Sequence, residues 1–294
     1  MSESALQLLG LGLLFAGVAA VWAFNARKGV DLSTLPHKAF LMLTAFAIVG
    51  GFVGATAWWI DHPSSFAWDL PPLASRLLPA AAFAFGVTGF MVLLRPTASH
   101  VRYYALMIAI YLGPLAVAIL LFHLDRFDFA KPITPAFFAV VAPMTILGLW
   151  LAIAPRGLSA EKPGESAPPA RPVRAFLSII AVVFGLWAIA LFASDQGPTK
   201  LVWVWPGDLL TSRLIAVMPL TLATTAAISR DSALLARTTL VLIAVYGVGG
   251  AAAGLMNAVA GKPIPILYVA AFGGFGLLAA WFLMTGRRAA KNQV

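Results

Sequence analysis

Residues 104–124 read YALMIAIYLGPLAVAILLFHL. These 21 residues contain no Lys, Arg, Asp or Glu. About 20 apolar residues, rising 1.5 Å each, cross a hydrocarbon core about 30 Å thick. The stretch therefore reads as a transmembrane helix. Eight further segments have the same character: Ala5–Phe24, Ala39–Ile60, Leu77–Leu94, Pro135–Ala154, Ala175–Ala193, Leu214–Ser229, Thr238–Ala260 and Ile264–Thr285. Leu214–Ser229 is too short to span, so its helix is expected to start earlier, as far back as Asp208. The whole chain agrees. Of its 294 residues 61% are hydrophobic and 11% charged, and the mean hydropathy is +0.91. Soluble domains carry about 25% charged residues. A soluble enzyme, a disordered tail and a DNA-binding domain are excluded, and the expected fold is an all-α integral membrane protein with nine transmembrane helices.

The charges orient it. Numbering loops from the N-terminus, one side collects fourteen Lys/Arg and four acids, the other six Lys/Arg and seven acids. Positive charge favours the cytoplasm, which predicts the N-terminus outside and the C-terminus inside. The start, MSES, lacks the basic n-region of a signal peptide, so Ala5–Phe24 reads as a retained helix. The net charge of +9 then reflects orientation and affinity for anionic lipid, and gives no ground for a nucleic-acid partner. The expected location is the plasma (inner) membrane of a bacterium. With no cysteine, thiol chemistry and thiolate metal sites are excluded.

The chain also repeats itself with a period near 136 residues. KAFLMLT (38–44) matches RAFLSII (174–180), WDLPPLASRLL (68–78) matches WPGDLLTSRLI (205–215), IAIYLGP (108–114) matches IAVYGVG (243–249), and AKPITPAFFAV (130–140) matches GKPIPILYVAA (261–271). This divides the protein into an N-terminal helix and loop (1–36), a four-helix repeat A (37–157), a Pro/Gly/Ser-rich cytoplasmic linker (158–173) and a repeat B with a basic tail (174–294). Four helices is an even number, so the repeats are parallel, related by a pseudo-two-fold axis along the membrane normal.

The repeat picks out candidate residues. Trp68 pairs with Trp205, Arg76 with Arg213 and Tyr111 with Tyr246. A Trp and an Arg at the outer end of a helix suit an interfacial anchor, with Asp208 as N-cap of the second copy. Alternatively Arg76 and Arg213 bind an anionic headgroup or substrate around the pseudo-axis. The Trp…Leu-Thr-Ser-Arg element resembles a Trp-Pro-Trp…Leu-Thr-Ala-Arg helix start in uncharacterised bacterial multi-pass membrane proteins. The first copy departs from it at Ala74. The resemblance implies a membrane protein and no activity.

All eleven acids and all twenty Lys/Arg fall in loops or at helix ends. Ion-coupled transporters usually carry a carboxylate near the midplane, so coupled transport is disfavoured. There is no HExxH pair, Asp-rich diphosphate motif or GxSxG elbow. The loop HLDRFDFAK (123–131) offers His123 and Asp125 as an acid–base pair, or reads as a solvated loop. Gly50/Gly54 and Gly250/Gly254 are spaced as GxxxG, which suits tight helix packing. The alternative is a groove for a flat apolar ligand (lipid, quinone or carotenoid), with the Tyr111 and Tyr246 hydroxyls near its middle. Metal ligands and a cofactor motif are not found. The leading functional expectation is a non-catalytic polytopic subunit that packs in or scaffolds a larger complex, its partners being membrane lipids and other integral membrane proteins. A transporter or flippase working at the repeat interface is the second, and an enzyme acting on a lipid or isoprenoid the third.

Overall fold

A computed structural model describes residues 2–29, 32–60, 62, 66–68, 72–154, 161, 164, 166–194, 207–262 and 266–291. The described residues form α1 (Glu3–Arg27), α2 (Leu35–Val49), a π-helical turn (Gly50–Gly54), α3 (Ala55–Trp59), α4 (Pro72–Leu94), α5 (Ala98–Phe122), a 3₁₀ turn (Leu124–Arg126), α6 (Ile133–Ile153), α7 (Arg171–Ala193), α8 (Leu209–Ser229), α9 (Ala233–Val259) and α10 (Ile266–Lys291), with no β-strand. α2, the π turn and α3 are one continuous rod. Among the described residues nine helices are long and apolar enough to cross a membrane. The protein is a multi-pass, all-helical membrane protein.

Several helices begin before their apolar runs, because the starting signal is polar. Thr34, Thr97, Asp208 and Ser232 each cap a helix and accept a hydrogen bond from the N–H three residues on, at 3.4, 3.3, 2.8 and 3.4 Å. Asp208 thus starts α8 where the length argument required. α7 starts at Arg171, inside the expected linker, because Pro172 suits a first helical turn.

α4 lies along α9 and α5 along α8, while α7 packs on α8, α10 on α9, α6 on α5 and α2 on α4. The core is built from these contacts. Its largest fully buried side chains include Tyr104, Tyr246, Phe40, Phe272 and Met107. α1 stands at the edge, touching mainly α2, with Leu8, Leu9, Leu13 and Phe15 exposed. Apolar side chains that face outward, such as Val259 at 91% and Ile153 at 81% exposure, suit lipid rather than water.

Candidate functional site

The two repeated arginines sit one turn inside α4 and α8. Each reaches the far end of a different helix. Arg76 Nη1 donates to the side-chain oxygen of Asn257, in the last turn of α9. Arg213 Nη1 donates to Nε2 of His123, which caps α5, at 3.1 Å. The Arg213 guanidinium also lies 4.4 Å from the centre of the Phe122 ring and 5.6 Å from that of Phe192. A cation near a helix C-terminus is favourable, so both arginines serve as ties between helices. The Nε of each is buried with no hydrogen-bond partner among the described residues. Asn257, which the sequence reading passed over, is the partner that α9 supplies.

Around Arg213 the loop that follows α5 joins in. Arg126 pairs with Asp208 at 3.0 Å. Burial raises the Asp208 pKa, but the Thr211 N–H and Arg126 outweigh it and hold the carboxyl below the usual carboxylate range. Burial and then the neighbouring Arg213 charge lower the His123 pKa, and the Asp208 and Asp125 charges only partly oppose them. A histidine that accepts from Arg213 is neutral at that nitrogen, and the contact ties the end of α5 to α8. Among the described residues no group of three or more His, Cys, Asp or Glu could hold a metal.

Near the opposite end of α5, His100 Nε2 lies 2.8 Å from the Thr238 hydroxyl, and Tyr103 bonds to Thr239. Tyr104 donates to the Phe85 carbonyl at 3.0 Å. None of these was singled out from the sequence. Thr is ordinary in an apolar helix, and only tertiary placement shows that it faces a ring.

The glycine faces separate. A Cβ at Gly250 would overlap the Phe272 ring, one at Gly247 would meet Gly276 Cα at 2.7 Å, and one at Gly254 would meet Val269 Cγ2 at 2.7 Å. The α9 stretch is therefore a packing face for α10, as its spacing suggests, and the alternative of a groove there is closed by Phe272. In the π turn that continues α2 the tightly packed glycine is Gly51, against Ala82 and Gly86 of α4. Gly50 and Gly54, expected to pack as GxxxG, have nothing within 4 Å of a Cβ.

They line a cavity of about 260 Å³ between α1, α2, the π turn, α3, α4, α5 and α6. Its wall includes Leu11, Phe46, Trp58, Trp68, Tyr111 and Val141 and, among the described residues, contains no charged side chain. Three glycines permit the π turn, a geometry that often marks functional sites. Trp68 lies in an aromatic cluster with Phe127 (5.3 Å) and Phe137 (5.5 Å), not as a free interfacial anchor. Its Nε1 is buried with no acceptor among the described residues. Tyr111 packs on Phe85 at 4.7 Å and lies within electrostatic range of Tyr246. No hydrogen bond to the Tyr111 hydroxyl is found among the described residues. Trp205 lies outside the described residues. Comparison with family models, curated proteins and solved structures finds no match.

Proposed function

We propose that this chain is a non-catalytic subunit of a larger assembly in a bacterial inner membrane, built as one helix plus two parallel four-helix repeats, with the N-terminus outside and the C-terminus inside. The observation that carries the reading is where the polar side chains go. Arg76, Arg213, His100, Tyr103 and Tyr104 are engaged across or between helices, and do not converge on a reaction centre. The helix pairing supports the duplication: the second helix of each repeat packs on the third helix of the other, α4 on α9 and α8 on α5. The transporter reading needed Arg76 and Arg213 to share a ligand. Each is instead given its own protein partner, which weighs against that site.

The test is gentle extraction from native membranes in mild detergent, followed by native mass spectrometry. The expected result is a complex holding other integral membrane proteins in fixed stoichiometry. Recovery as a lone 31.0 kDa chain would overturn the reading.

A further inference from the structure

The cavity beside the π turn is more than loose packing between helices. Among the described residues its lining is apolar and uncharged, so an ion or a sugar would lose its hydration against them without compensation. A neutral ligand is required. Phe46, Phe85, Phe137, Trp58 and Trp68 offer flat faces, which suit a planar ring. Tyr111 offers one hydroxyl that no described residue binds, and Trp68 Nε1 is a second donor in the same wall without an acceptor among the described residues. Two donors without acceptors call for an acceptor oxygen on the ligand.

Size and access narrow the class. Along the α2–α3 rod the lining runs from Phe46 to Trp58, a rise of about 18 Å. That length and a volume of about 260 Å³ take a ring with the first part of a chain, not a polyene that crosses the bilayer. One wall is α1, through Leu11 and Leu14. Only 11% of the α1 span is buried, so the way in leads from lipid rather than from water.

We propose that this cavity binds the ring of a lipid quinone, its carbonyl accepting from the Tyr111 hydroxyl and its tail leaving past α1. The proposal rests on the subunit reading for its purpose and on the cavity alone for its chemistry. The two halves of the chain support it. Carrying the match of 130–140 with 261–271 one residue further sets Val141 opposite Phe272, and the match of 38–44 with 174–180 sets Gly51 opposite Trp187. Trp187 and Phe272 contact each other at 5.9 Å in repeat B. Repeat A has smaller residues at both places and both line the cavity, although Gly51 also packs against α4.

The probe is decylubiquinone, added to the purified full chain in detergent and followed by quenching of tryptophan fluorescence. Saturable quenching is expected. Val141→Phe should weaken it at least tenfold by filling the space as Phe272 does. Gly54→Leu fills the same cavity from the other wall and serves if Val141→Phe fails to fold. Tyr111→Phe should weaken binding by about three- to tenfold, the range of one lost hydrogen bond. Absence of saturable quenching, or equal affinity in both filled variants, overturns the proposal. So does native mass spectrometry that finds a phospholipid, and no quinone, bound in a Val141-dependent way. Because co-purification with other subunits is measured without added quinone, the two readings fail separately.

Discussion

Gly50–Gly54 and Gly247–Gly254 share a composition and differ in what stands opposite. Along α9 the missing side chains are replaced by a neighbour: Phe272 covers Gly250 and is itself 2% exposed. Along the π turn Gly50 and Gly54 face open space, while Gly51 packs closely on α4. Small residues do not define a groove or a packing face by themselves. The partner helix decides, by presenting a large ring or a Val at the facing position.

The comparison can be broken most forcefully at Phe272. Phe272→Ala should cost about 3–5 kcal/mol and open a second cavity, read as a lowered midpoint in denaturant titration of the detergent-solubilised protein. Little change would mean that α9 and α10 are not packed through this ring. Gly250→Ala should cost about 1–3 kcal/mol, since the added methyl meets Phe272 in a filled core. Asn257→Leu should cost about 1–3 kcal/mol by leaving the Arg76 guanidinium without its partner. Gly50→Ala should move the other way, stabilising by about 0.4–1 kcal/mol, because the methyl meets nothing and the unfolded chain loses freedom. Equal effects at Gly50 and Gly250 would erase the distinction between the two stretches.

The smallest effect is on pH. The folded His123 pKa lies below its ordinary 6.5. An unfolded chain therefore takes up a proton on this residue before the folded one does. The contribution of the Arg213–His123 tie is complete above pH 6.5 and is lost as the pH falls from there toward the lowered folded value. A thermal midpoint measured between pH 7.5 and 5.5 should fall, and His123→Gln should flatten that fall.

Much of the architecture was readable because the bilayer imposes length and composition. All nine apolar segments recur as helices, and the polar caps Thr34, Thr97, Asp208 and Ser232 account for the earlier starts. The side-chain partners were not readable. Arg76 finds Asn257 at a separation of 181 residues, and Arg213 finds His123 at 90. Nothing local in sequence announces such contacts. Tyr111 and Trp68 were picked out by repetition and both line the cavity. Tyr246, picked out equally, is packed against Phe272 at 5.5 Å. Repetition located the positions but could not show which copy had been filled.

The most direct test is cryo-electron microscopy of the protein drawn from native membranes with its lipids retained. The account predicts density that is not protein between α1, the π turn and α6, touching Tyr111, and a Phe272 ring seated on Gly250. A closed repeat A with α6 packed onto Gly50 and Gly54, or an open space at Phe272, would contradict it.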